Sequence, residues 1–265
     1  MIVRELERVK SALVALDDEA RRAEPDRAAD LKLVVVVVAA ALCLLLLQTY
    51  GTRHGPIALF ALFDDEGPRA VRRFFETHPR GDYWRYAYWL TCVQFFYVVV
   101  PLVVVKTVRP RFTLADVGLR TEGALSHWRL YAILTVVVLV PVVVLASRPG
   151  FGSFYPMYKG AHGSLTELLL WELIYLPSFF AVEFFFRGFL LFPFRRRLGA
   201  LSVLVPLVPY VMIHFGKPFP EAAGASVAAL VLGACALASG SVWLGVAVHV
   251  AVAVTMDCFA VFFAR

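Results

Sequence analysis

Long blocks of apolar residues, separated by short polar stretches, dominate this chain of 265 residues. The apolar positions run on continuously and are not spaced three or four apart, as they are in a helix with one buried face. A helix needs about 20 mostly apolar residues to cross a bilayer, and this length predicts about seven spans, with six to eight as the range. The blocks are residues 31–48, 86–105, 130–146, 168–194, 201–215, 222–238 and 242–263.

Valine runs such as residues 34–38 and 136–138 would favour strands in water. In lipid, a lone strand leaves its backbone N–H and C=O groups unpaired, whereas a helix satisfies them internally. The pattern therefore predicts an all-α, polytopic transmembrane helical bundle.

Composition agrees with a membrane protein, since 60% of the residues are hydrophobic and only 17% are charged. The net charge of +6 does not indicate nucleic-acid binding, because the basic residues cluster in particular connections, including residues 106–120 and 195–197. Positive residues favour the cytoplasmic side. We expect an integral protein of the bacterial plasma membrane with a cytoplasmic N-terminus.

One membrane domain is the simplest organisation. Residues 1–30 predict a cytoplasmic amphipathic helix, residues 31–160 supply N-terminal scaffold spans, and residues 161–265 form the core that carries chemistry. This division follows the ionisable residues, which are nearly absent from the first three spans. Such groups are costly within a bilayer and usually face the interior of a bundle or a water-filled cavity.

The first candidate pair is Glu183 and Arg187, four residues apart and so on one helix face. A buried carboxylate beside a guanidinium tends to stay ionised. The alternative is a neutralising ion pair that merely allows both residues to be buried.

Two histidines, His214 and His249, lie in apolar surroundings on separate predicted spans. Gly199 predicts a turn between helices, with Glu183 sixteen residues before it and His214 fifteen after it. An antiparallel hairpin would bring those two residues to the same depth, about 23 Å from the turn. Asp257 either supports an imidazole or is a polar residue near the far interface, and Glu172 is assigned a packing or vestibule role.

A carboxylate and two imidazoles support one coherent reaction. Glu183 would activate a water molecule, and His214 and His249 would donate to the oxyanion of a tetrahedral intermediate. The same three side chains are also a possible ligand set for a divalent metal such as zinc. The residues leave both options open.

Residues 110–260 resemble the CPBP family, the intramembrane proteases that include the CAAX prenyl proteases and bacteriocin-processing and immunity proteins. The family motifs Glu-Glu-x-x-x-Arg, aromatic-x-x-x-His and His-x-x-x-Asn/Asp match residues 182–187, 210–214 and 249–253. The resemblance implies catalytic roles for Glu183, His214 and His249, and a supporting role for Tyr210. It implies a membrane-bound peptide or protein as the substrate.

Two positions depart from the family pattern. The first glutamate of the family motif is Val182 here, and the last Asn or Asp is Ala253. The leading hypothesis is a divergent intramembrane endopeptidase, with Arg187 holding Glu183 ionised and Asp257 replacing the lost polar group. The alternatives are an inactive immunity, scaffold or peptide-binding protein and, ranked last, a proton-coupled transporter.

Overall fold

A computed structural model describes residues 2–147, 150–217 and 219–263. Within these ranges the chain is helical apart from loops and one isolated bridge between Leu119 and Ser241, and the predicted all-α class is confirmed. The α-helices are α1 (Ile2–Arg22), α2 (Arg27–Tyr50), α3 (Gly55–Phe60), α4 (Gly67–Thr77), α5 (Gly81–Gln94), α6 (Val100–Val108), α7 (Trp128–Ala146), α8 (Phe151–Phe154), α9 (Leu165–Tyr175), α10 (Pro177–Glu183), α11 (Arg195–Leu198), α12 (Leu204–Met212), α13 (Phe219–Ser239) and α14 (Trp243–Phe262).

Six helical segments in the described ranges are long and apolar enough to cross a membrane. The chain is an integral membrane protein. The segments are Arg27–Tyr50, Gly81–Val108, Trp128–Ala146, Leu165–Met212, Phe219–Ser239 and Trp243–Phe262.

Six lies within the expected range of six to eight, and the difference from seven lies in the 48-residue segment Leu165–Met212. We predicted two spans there. The second arm, α12, has nine helical residues, about 14 Å of length against a core of about 30 Å. It therefore does not count as a span of its own.

The turn predicted at Gly199 is confirmed. Gly199 has a φ of 55°, in the left-handed region that glycine adopts without strain. A Cβ there would also lie 2.2 Å from Asp17 Oδ1, whose carboxylate accepts a 2.7 Å hydrogen bond from the N–H of Ala200. The turn is thus fixed both by its backbone and by helix α1.

The described residues form two compact units, each assembled from separated stretches of chain. The first contains residues 1–40, 101–134 and 182–248, and the second contains residues 41–100, 135–181 and 249–265. The division into residues 1–30, 31–160 and 161–265 stays a prediction.

The first unit has a core to which helix α1 contributes directly. Val9 of α1 packs with Leu130, Tyr131 and Leu232, and Leu13 joins the same cluster. The N-terminal helix is therefore part of the packed unit.

The second unit is organised around Trp171, which is fully buried. Its ring lies 4.6 Å from that of Tyr175 in a stacked arrangement and 5.3 Å from that of Tyr86 at a steep angle. Leu90 and Leu168 complete the cluster. This aromatic packing joins α5 to α9.

Candidate active site

The buried pair Glu183 and Arg187 is the centre of the site in the first unit. Arg187 Nη1 lies 3.0 Å from Glu183 Oε1, and each residue is 1% exposed. A charge transferred from water to such a place is costly unless it is paired, so each side chain makes the burial of the other possible. The predicted ion pair is present.

A π-helix, Phe184–Phe189, begins directly after Glu183. The N–H of Leu190 donates to the carbonyl of Phe185, five residues earlier, at 3.0 Å. A π-helix accommodates one extra residue in a helical turn and so offsets the residues before it from those after it. Side-chain directions around Glu183 therefore differ from those of an uninterrupted α-helix.

Helix α12 folds back along this π-helix. The Arg187 guanidinium carbon lies 4.7 Å from the centre of the Tyr210 ring, and the rings of Tyr210 and Phe186 meet edge to face at 5.0 Å. Stacking over an aromatic face adds a favourable electrostatic interaction to the charge of Arg187. Tyr210, predicted to be a supporting residue, thus contacts the buried pair directly.

Gly245, near the start of α14, leaves space for the carboxylate of Glu183. A Cβ on Gly245 would lie 2.5 Å from Glu183 Oε2 and 2.9 Å from Cδ. One carboxylate oxygen therefore faces Arg187 while the other meets the backbone of α14. The sequence analysis did not single out this glycine.

Tyr131 of α7 was also missed, because its block was interpreted as scaffold. It is 2% exposed and interacts electrostatically with Glu183 and Arg187. A phenol inside an apolar block was the available signal, since a buried tyrosine hydroxyl usually has a polar partner.

His214 follows α12 by two residues and lies in a turn, half-buried. Its Nδ1 lies 2.8 Å from the carbonyl oxygen of Tyr210. A carbonyl only accepts, so Nδ1 carries the proton, and in the neutral ring Nε2 is the unprotonated nitrogen. Donation from Nε2 to an oxyanion therefore requires the imidazolium form.

The loop that carries Asp116 packs against this region. The carbonyl oxygen of Val117 would lie 2.8 Å from a Cβ on Gly188, within the π-helix, and the N–H of Val242 donates to the carbonyl of Gly118 at 3.0 Å. The backbone N–H of Thr113 holds the pKa of Asp116 below its usual value, with the Thr113 hydroxyl contributing. This loop thereby joins the π-helix to the start of α14.

The second unit holds His249 and Asp257. His249 is half-buried, and its ring stacks on Phe179 with 5.9 Å between the centres. Asp257 is 1% exposed and accepts a hydrogen bond of 2.6 Å from Trp171 Nε1. Its carboxyl group also interacts with Glu172.

Among the predicted site residues, the structure thus brings Glu183, Arg187 and Tyr210 together in the first unit.

The zinc option requires a group of ligands with suitable geometry. Within the described residues, no group of three or more His, Cys, Asp or Glu side chains is arranged to hold a metal ion. The described side chains therefore do not fit a resident metal ion.

Comparison with known families covers the segment that contains these motifs. Residues 164–255 match the family model described as type II CAAX prenyl endopeptidase Rce1-like. The segment is similar to that family. It makes up roughly a third of the chain and contains the buried pair and both histidines. No curated protein and no solved structure matches the chain.

The match confirms the resemblance to the CPBP family. At the level of that family, it supports a CAAX-type endopeptidase that works within the membrane. The Rce1-like segment begins just before α9 and ends inside α14. Tyr131 and the loop around Asp116 lie outside it, although both contact its buried groups.

Gly245→Ala is expected to destabilise the protein, because the new Cβ would push the Glu183 carboxylate away from Arg187. In an ordinary helix the same change stabilises by about 0.5–1 kcal/mol. We expect a loss of about 1–3 kcal/mol in the free energy of unfolding, measured in detergent micelles.

Gly224→Ala is the matched control, since Gly224 is exposed on α13 and a Cβ there would have no neighbour within 4 Å. It is expected to keep or raise stability. Equal stability of the wild type and Gly245→Ala would contradict the close contact with Glu183.

Proposed function

We propose that this protein is an intramembrane endopeptidase that hydrolyses a membrane-associated or lipid-modified peptide. Glu183 is the base that activates water, and His214 and His249 stabilise the oxyanion. The observation that carries the proposal is the buried carboxylate of Glu183, held at the start of a π-helix between Arg187 and Gly245. Membership of His249 in the site rests on the sequence pattern.

The reaction proceeds by two proton transfers through Glu183. Its carboxylate accepts a proton from water as the water oxygen attacks the peptide carbonyl, and N–H groups of the His214 and His249 rings stabilise the resulting oxyanion. Protonated Glu183 then gives the proton to the departing amine, and the C–N bond breaks. Arg187 keeps the carboxylate ionised between turnovers.

The π-helix changes which of the positions before it share a face with Arg187. A neighbouring position on an α-helix points about 100° away around the axis. The extra residue of a π-turn offsets the upstream positions by one residue relative to the downstream ones. Position 182 is a valine, and the 3.0 Å contact with Arg187 supports Glu183 as the residue that presents a carboxylate there.

Water must reach a carboxylate that is 1% exposed. The proposal therefore requires the pocket around Glu183 to open when substrate enters. Glu183 Oε2, which lies against Gly245, is the oxygen that would receive the proton.

The second candidate is a catalytically inactive immunity, scaffold or peptide-binding protein. The complete burial of the Glu183–Arg187 pair favours it, because a structural ion pair needs no access to water. Val182 and Ala253 are further observations on this side. Such a protein would bind membrane peptides and leave them intact.

We propose a bacterial plasma membrane as the location, with a cytoplasmic N-terminus. The clusters of positive residues at 106–120 and 195–197 support this orientation. The partners are then the lipid bilayer and a membrane-bound peptide or protein substrate, and nucleic acid is not among them.

Cleavage of a panel of membrane peptides, with and without lipid modification, tests the proposal. The purified chain in lipid nanodiscs should cut a member of the panel, and Glu183→Gln and His214→Ala should each lower the rate by about 100-fold or more, because each removes a proton-transferring or charge-stabilising group.

Glu122→Gln, which neutralises an exposed loop carboxylate, is the control and should cut at the wild-type rate. Unfolding curves establish that each variant is folded. Cleavage by folded Glu183→Gln at the wild-type rate would remove the mechanism, and binding without cleavage across the panel would favour the second candidate.

The protonation of His214 gives a separate prediction about pH. Because Nδ1–H is committed to the Tyr210 carbonyl, cleavage should fall at alkaline pH as the imidazolium loses the proton on Nε2. His214→Gln carries an amide N–H that donates at any pH. The variant should be slower than the wild type and should lack this alkaline decline in kcat/KM. An identical alkaline decline in both proteins would contradict the role of His214.

A further inference from the structure

The second unit contains two buried carboxyl groups that the proposed reaction does not use. Asp257 of α14 is 1% exposed and Glu172 of α9 is 9% exposed, and their side chains interact with each other. They come from segments 85 residues apart in sequence, so this arrangement results from tertiary packing. Such groups within a membrane domain usually carry a function.

The hydrogen bonds at this cluster do not compensate two negative charges. Trp171 Nε1 donates to Asp257 Oδ2 at 2.6 Å. In the described part of the chain, no protein N–H or O–H group donates a hydrogen bond to either oxygen of Glu172 or to Oδ1 of Asp257. Two adjacent carboxylates cannot both stay ionised at this depth, because each charge raises the cost of the other.

Lys159 interacts electrostatically with Asp257, but two of the three N–H donors of its ammonium group bind backbone carbonyls. Its Nζ donates to the carbonyl oxygens of Pro156 at 3.0 Å and Gly152 at 3.3 Å, and the side chain is exposed. It therefore offsets at most the charge of Asp257, through space. A second negative charge on Glu172 would have no counterpart.

We propose that Glu172 and Asp257 form a buried proton-binding site, in which one proton is shared between the two carboxyl groups. The proton converts a repulsive contact into a hydrogen bond from one carboxyl to the other. It leaves a single negative charge, which the Trp171 N–H stabilises. The site joins α9 to α14 and is independent of the proposed peptidase reaction.

The pair has a clear signature in the pH dependence of stability. Near neutral pH the folded chain keeps a proton that the two free carboxyl groups of the unfolded chain have released. Stability therefore falls as pH rises. Among the described residues, Lys159 and Cys258 interact electrostatically with the pair, and the ring of Tyr158 lies next to that of Trp171, which binds Asp257.

Tyr158 and Lys159 do not produce the same signature at neutral pH. Burial, with a contribution from Glu167, raises the pKa of Tyr158 to about 12, so this phenol keeps its proton. Burial lowers the pKa of Lys159, so the folded chain releases that proton more readily than the unfolded chain. Its contribution to stability rises with pH, which is the opposite direction.

Infrared difference spectroscopy and unfolding curves test the proposal on the full chain in nanodiscs. The wild type should show the C=O band of a protonated, buried carboxyl group at neutral pH, and this band should disappear at alkaline pH. Glu172→Gln, which supplies a permanent N–H donor of the same size, should lack the band and should lose the decline in unfolding midpoint with rising pH. Glu122→Gln should keep both.

Absence of the band from the wild type at neutral pH would overturn the proposal. So would a band that persists in folded Glu172→Gln. A midpoint that rises with sodium concentration at constant pH, without a band, would show a bound cation in place of the proton. If Glu172→Gln does not fold, the wild-type band and its loss at alkaline pH decide the question alone.

Discussion

The pairing of Glu183 with Arg187 is the interaction on which the first unit depends. An isolated charge at 1% exposure would cost several kcal/mol, and the 3.0 Å contact makes burial of both side chains possible. Around this pair the chain provides a ring to stack on Arg187, from Tyr210, and a backbone surface for Glu183, at Gly245. The turn at Gly199 serves to bring these elements back to the pair.

The same constraint operates in the second unit with a different solution. There the buried carboxyl groups of Glu172 and Asp257 meet each other and the N–H of Trp171. A shared proton takes the part that Arg187 has in the first unit. Because the protein interior has low polarity, a buried carboxylate charge without other compensation requires a nearby positive charge or a bound proton.

The sequence predicted what depends on local pattern. Continuous apolar blocks predicted the helical membrane fold, and the glycine after the arginine cluster predicted the turn at Gly199. The spacing of Glu183 and Arg187 predicted their pairing. Order and spacing of the three motifs predicted the family that residues 164–255 match.

What the sequence did not predict depends on tertiary packing. No periodicity marks the π-helix after Glu183, because it differs from an α-helix by a single extra residue in one turn. Tyr131 was overlooked because an aromatic residue in an apolar block is ordinary in a membrane span. The contact between Asp257 and Trp171 joins residues 86 apart, and only the folded chain brings them together.

A double-mutant cycle on Glu183→Gln and Arg187→Met most directly tests the buried pair as the organising interaction. The unfolding free energies of the wild type, both single variants and the double variant would be measured in the same detergent. We expect each single variant to lose about 3–5 kcal/mol, and the double variant to lose far less than the sum. Losses that add, with no coupling between the two positions, would contradict the account.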